Sequence, residues 1–192
     1  MSLEIKDLEK IQSTLQQAHL DYQLELVDGK ITIMGLSDYL SEEVIAQFIF
    51  LLKLWVTPRR MGRVTGSSAG FRLPDGNLRG PDVSFVSASR LRRSPRSFAK
   101  LLPDLMVEVK SSTDRIKPIV KKIHRFLELG TTVGILIDPD RQTLAIYRLN
   151  QEPIELIDNE ILTIPELFPG WELAISELWP PVFEENQTDK TE

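Results

Sequence analysis

The segment PDLMVEVKSS (103–112) constrains the fold more than any other stretch of the chain. Leu105, Val107 and Val109 alternate with Met106, Glu108 and Lys110. That is the period of a strand, in which side chains two apart share a face. Glu108 and Lys110 therefore project together from an otherwise apolar run. Burying a carboxylate and an ammonium is costly unless a partner compensates for their lost hydration. The rest of the sequence has to provide that partner.

Around this strand the patterns alternate between helix and sheet. Ile5, Leu8, Ile11 and Leu15 have helical spacing over 4–18. YQLELVDGKITIMG reads as a hairpin turning at Asp28-Gly29. Ser41 looks like the N-cap of a helix over 42–56, whose buried face carries Val44, Ile45, Phe48, Leu51, Leu52 and Trp55. Strands are expected near 62–73 and 80–87, then a basic loop, the strand at 104–110, and a helix near 116–129 ended by Gly130. Strands at 132–138 and 143–149 follow, with a short hairpin in EPIELIDNEIL. This order predicts an α/β (α+β) fold, a mixed sheet flanked by helices. One domain over 1–183 is expected, with a disordered acidic tail at 184–192.

The chain has 192 residues, 42% of them hydrophobic, and no cysteine. Disulfides and thiolate metal sites are excluded, which fits a reducing cytoplasm. The charged N-terminus is unlike a signal peptide. The most apolar run, 44–56, is too short to span a membrane. The net charge of −5 argues against nucleic acid, but its distribution argues for it. Residues 53–125 hold 17 of the 23 basic side chains and five of the 28 acidic ones, an excess of twelve positive charges, which leaves −17 on the remainder. Such asymmetry suits a basic face for a polyanion, and equally a surface whose opposite charges meet on folding.

A partner carboxylate for Glu108 is the next requirement. Asp104 lies on the same strand, roughly 13 Å away at about 3.3 Å per residue, too far to share one ion. Asp82 follows Pro81 at the start of another strand, PDVSFV, able to pair beside 104–110. Asp82, Glu108 and the Val109 backbone carbonyl would form a hard oxygen site of the kind Mg²⁺ takes, with Mn²⁺ able to substitute. Lys110 would stand beside the attacking water and stabilise developing negative charge. Without metal, clustered carboxylates repel, so deleting one would stabilise the apoprotein. Glu42 and Glu43, in the first turn of the second helix, lie about 120° and 140° from the centre of its buried face at 100° per residue. Neither points squarely inward, and acids in a first turn are also what a helix dipole favours. Lys122 flanks the apolar row of the 116–129 helix and is a candidate phosphate contact, as are Arg92, Arg93 and Arg96 in the basic loop.

Pro81-Asp82 followed by Glu108-Val109-Lys110, the amphipathic helix after it, and the strand ending in Asp138-Pro139 resemble the PD-(D/E)xK nuclease superfamily. More narrowly, PDVSFV … PDLMVEVKSSTD … KKIHRFLELGTTVGILIDP is similar to the Uma2 family of restriction-endonuclease-like proteins, over about residues 20–180. The resemblance implies a restriction-endonuclease-like core, Mg²⁺-dependent endonuclease activity on DNA, and a homodimer. It implies Asp82 and Glu108 as metal ligands, a further acidic ligand from the first core helix for which Glu42 and Glu43 are the candidates, Lys110 as the catalytic lysine, and no organic cofactor. The rival reading is the same fold as a non-catalytic module that binds DNA or a protein partner. GSSAG (66–70) fits a nucleophile-elbow pattern around Ser68, but a strand-like FRL follows it where a helix is required. His19 and His124 lack the spacing of zinc ligands.

Overall fold

A computed structural model of the chain describes residues 2–183, and the expected tail at 184–192 lies outside the described residues. α1 (Ile5–Gln17) leads into a hairpin of β1 (Gln23–Val27) and β2 (Lys30–Met34). Its turn residues, Asp28 and Gly29, sit at φ 50° and 71°, the left-handed pair that matches strand twist in a two-residue hairpin. α2 spans Tyr39–Val56. Its cap is Asp38 and not the expected Ser41: the Asp38 carboxylate accepts from the Ser41 N–H, 2.9 Å, leaving Ser41 inside the first turn. β3 (Gly62–Gly66), β4 (Phe71–Arg72), β5 (Leu78–Arg79) and β6 (Val83–Ser87) come next, then β7 (Leu105–Val109) and α3 (Ile116–Leu129). β8 (Val133–Asp138), β9 (Thr143–Tyr147), β10 (Ile154–Ile157), β11 (Ile161–Thr163) and β12 (Glu172–Ala174) complete the strands, and a 3₁₀ turn follows at Ile175–Leu178.

Six strands form the main sheet in the order β10-β9-β8-β7-β6-β3, with β7 and β8 parallel and the other pairs antiparallel. α2 covers one face, burying Val44, Phe48 and Leu52 against Val107, Val109, Ile135 and Ile137. Phe168, Trp171 and Leu178 from the C-terminal segment close the same core. α3 covers the other face, with Ile123 and Phe126 against Met106 and Leu136. β7 is thus buried on both sides, which explains its near-continuous apolar character. A second sheet, β2-β1-β5-β4, packs Leu24, Leu26 and Leu78 on Leu8 of α1. The expected α+β architecture with a mixed sheet and flanking helices is what the chain adopts.

Three expected elements differ. The run at 62–73 is two strands: β3 belongs to the main sheet, and β4 to the smaller one after a turn at 67–70. The run at 80–87 holds one strand that starts late: β6 begins at Val83, because Gly80, Pro81 and Asp82 separate it from β5. EPIELIDNEIL is not a hairpin. β10 pairs with β9, and β11 pairs with β12, so the two halves of that segment join different partners. Among the described residues no helix is long and apolar enough to cross a membrane.

Candidate active site

The site forms where β6 and β7 diverge. Their antiparallel register pairs Val83 with Val107 and Ser84 with Met106. One step further, Asp82 stands opposite Glu108, on the face covered by α3. Directly opposed residues hold their Cβ atoms about 4.5–5.5 Å apart. Two residues before Val83, where the paired ladder ends, stands Pro81. It has no N–H to offer the Val109 carbonyl. The Asp82 carboxylate takes over the other half of that pair, its Oδ2 accepting the Val109 N–H at 2.8 Å. In an extended strand a residue's N–H and C=O face the same edge. The Val109 carbonyl therefore points toward β6, as the Asp82 contact does.

Lys122 of α3 fills the space above Glu108. Its Nζ lies 2.8 Å from Glu108 Oε1 and 2.9 Å from Oε2. Only Oε2 is aligned to accept a hydrogen bond, and the buried Oε1 has no hydrogen-bond partner. Lys122 also donates to the Gly80 carbonyl, 2.8 Å, and stands 3.7 Å from Glu25. Glu25 comes from β1, whose Leu24 and Leu26 face α1 and so turn Glu25 the opposite way. Its carboxylate accepts from the Gly80 N–H, 2.8 Å, and from Arg79 Nε, 3.1 Å. Glu25, Glu108 and Lys122 expose only 5, 6 and 6% of their surface, so their charges meet largely out of water. Gly80 admits no other residue easily, because a Cβ there would stand 2.9 Å from the Ser67 carbonyl oxygen.

Burial pushes the Glu108 carboxyl up to about 8, with Lys122 opposing the rise and Asp82 adding to it. Asp82 is also raised, first by burial and then by the charges of Glu42 and Asp114, against the pull of Lys122 and the Val109 N–H. Burial acts to lower the Lys122 ammonium, but the attraction of Glu108 and Glu25 outweighs it and holds the lysine above its ordinary value. The donor set is the carboxylates of Asp82 and Glu108 and the Val109 carbonyl, to which Pro81 offers no N–H. It suits a hard cation such as Mg²⁺, which takes one or two carboxylates and completes its shell with water. Among the described residues no group of three or more acidic or histidine side chains converges as a metal cage.

The other expected residues are placed as follows. Lys110 keeps the predicted face, two pairs beyond Glu108–Leu136 and so beside Asp138. Its side chain, however, runs across the sheet toward β8. The Nζ donates to Asp140 at 2.6 Å and lies 4.0 Å from Asp138. Glu108 is thus accompanied by Lys122, not by the lysine two residues on. Glu42 is exposed and lines a cleft with Asp82, Glu25 and Gln23, whereas Glu43 is exposed outside that cleft. Arg92, Arg93 and Arg96 are exposed on the loop between β6 and β7. Arg63 holds this loop by donating to the carbonyls of Leu91, 3.1 Å, and Arg92, 2.6 Å. Asp104 anchors the loop's start, accepting the Ser87 N–H at 2.7 Å and pairing with Arg90. Glu25 was not anticipated. Its signal in the sequence is the one Glu108 shows, a lone carboxylate inside an apolar strand, QLELV.

The family model of Uma2, described as "Putative restriction endonuclease", matches residues 7–176. No curated protein sequence matches the chain. A solved structure from Anabaena variabilis ATCC 29413, described as "a putative nuclease belonging to DUF820", is similar at 24% identity with a TM-score of 0.73, over 81% of this chain and 88% of that one. A cryo-EM structure of a DrdV–DNA complex aligns at 11% identity and a TM-score of 0.34, over 59% of this chain and 12% of that one. The Anabaena structure establishes a shared fold, and with the family model running from α1 to the end of the last core segment, this chain belongs to the Uma2 family.

Proposed function

We propose that this protein is a Mg²⁺-dependent endodeoxyribonuclease, active also with Mn²⁺, that hydrolyses phosphodiester bonds of DNA in the cytoplasm. The observation that carries the reading is the meeting, beyond the end of the β6–β7 ladder, of Asp82, which accepts the Val109 N–H, and the buried Glu108 carboxylate, whose Oε1 accepts no hydrogen bond. Asp82, Glu108 and the Val109 carbonyl would hold the ion. When bound, it supplies a Lewis acid that acidifies water and offsets charge on the phosphate. Lys122 keeps a positive charge beside Glu108, fixed by the Gly80 carbonyl, where it stabilises negative charge developing on the phosphate oxygens. Glu25 fixes the Arg79–Gly80 backbone and so the approach of Asp82 to β7. Arg92, Arg93 and Arg96 hold the DNA backbone without reading its sequence. The test is nicking of supercoiled plasmid with Mg²⁺ or Mn²⁺ against an EDTA control. DNA binding without cleavage under either metal would favour the non-catalytic module, which the absence of a third acidic ligand among the described residues supports.

The raised Glu108 pKa has a consequence for stability. An acid whose folded pKa is raised stabilises the fold while protonated in both states, below its unfolded value near 4.3. That contribution is lost as pH climbs to about 8. In EDTA, the wild-type melting temperature is expected to fall between pH 5 and 8 by more than that of Glu108→Gln. Equal pH dependence in the two proteins would contradict the assignment.

The homodimer implied by the resemblance belongs to the same proposal. Tyr39, Phe50 and Leu54 are exposed along α2, with Glu43 and Lys53 beside them and unpaired among the described residues. Two antiparallel α2 helices centred on residue 48 would set Phe50 against Ala46 and Lys53 against Glu43 of the second copy. Sedimentation should give a dimer for the wild type and a monomer for Phe50→Glu; a monomeric wild type removes this face from the proposal.

A further inference from the structure

Beside the acidic cleft lies a second cavity, of about 440 Å³, which the proposed chemistry does not use. It is half open, bordered by β3, the 67–70 turn, β4, the basic loop and Glu9 of α1. Its size is within the range of small-ligand sites, about 300–1,000 Å³. Two aromatic side chains, Phe71 and Phe98, contribute to its walls together with Val86 and Leu91. Arg63 lines it too, its guanidinium plane fixed by the Leu91 and Arg92 carbonyls. Thr65, Ser68, Ser94 and Ser97 add hydroxyls. Phe98 is held close to the 70 position, where a Cβ would stand 2.6 Å from its ring. Ser68, Gly70 and Phe98 line both this cavity and the cleft that contains Asp82, so the two are neighbours through a common wall.

We propose that this cavity receives a single unstacked nucleobase next to the acidic cleft. The inference rests on the nuclease reading for its substrate and deepens it. An acyl chain or apolar peptide would leave the arginines and hydroxyls unused. A nucleobase has a face to stack on aromatic and guanidinium planes and an edge that exchanges hydrogen bonds with hydroxyls. It also brings phosphates; Arg96 lines the cavity, and Arg92 and Arg93 are exposed on the same loop. A base leaves the stack most readily where it is unpaired or mismatched. The protein should therefore prefer DNA containing such a base to a fully paired duplex.

The experiment measures binding in EDTA, so that it does not depend on cleavage. The probes are a duplex with one adenine bulge, the same duplex fully paired, and free 2-aminopurine deoxyribonucleoside monophosphate as competitor. The bulged duplex is expected to bind at least ~10-fold tighter than the paired one, about 1.4 kcal/mol. Ser94→Trp and Ser97→Trp, both at exposed positions on the rim, should plug the cavity and abolish the preference. Competition by the free nucleotide for the bulged duplex alone would assign the site to any nucleotide, and no competition to a base within a strand. Equal affinity of the wild type for the two duplexes, or a preference that survives both substitutions, overturns the proposal. Plasmid nicking without any preference would remove the base site and leave the nuclease reading intact. A preference lost on plugging, in a protein that never nicks, would do the reverse.

Discussion

Asp82→Ala and Glu108→Ala are each expected to lower Mg²⁺-dependent nicking of supercoiled plasmid at least ~100-fold, the scale of losing one preorganised electrostatic contributor. Their effects on the fold should differ. Asp82 caps the Val109 N–H, so alanine there costs about 1–3 kcal/mol, and asparagine, which keeps an acceptor, costs less. Glu108→Ala removes the acceptor of the buried Lys122 ammonium, and leaving a buried donor without its partner costs about 1–3 kcal/mol, more for a charged group. The expected stabilisation of the apoprotein by deleting an acid is thus reversed for Glu108, because a lysine separates it from pure carboxylate repulsion. Glu108→Gln keeps the shape and lets the two consequences be read apart. Nicking that survives in both Asp82 and Glu108 variants would place the activity elsewhere.

Lys122→Met should reduce nicking about as strongly as loss of Glu108, while Lys110→Ala should cost less than ~10-fold. Lys122 is in contact with Glu108 and the Gly80 carbonyl, whereas Lys110 ends on Asp140 across β8. Charge stabilisation falls steeply with distance and with exposure to water, so only the buried lysine has the leverage. Methionine retains the aliphatic stem of Lys122 but leaves Glu25 and Glu108 without their shared cation. The melting temperature in EDTA should fall, and more so above pH 8, where Glu108 gives up its proton. The comparison is made with plasmid nicking and thermal unfolding side by side. If Lys110→Ala is the more damaging change, the catalytic lysine is the one adjacent to Glu108 in sequence.

The alternation of PDLMVEVK is enough to place Glu108 on a buried strand, because a period of two leaves no other regular arrangement for those apolar residues. The proline before Asp82 marks a strand start and a missing donor, and both follow from covalent structure alone. Helical spacing fixed α3 from 116 to Gly130, whose φ of 121° ends it. What the chain could not reveal is which long side chains meet. Lys110 and Lys122 are chemically alike, and Lys110 is nearer in sequence. Only the packing of α3 across β7 and β8 gives Lys122 the buried carboxylates, and only the turn after β8 draws Lys110 to Asp140. Glu25 illustrates the same limit: its position 83 residues before Glu108 carries no local signal of contact, and the second sheet alone brings β1 against Gly80 and Lys122. Local periodicity determined the elements, since it depends on neighbours three or four residues away at most. The site required long-range packing, since the charges that define it come from four separate segments.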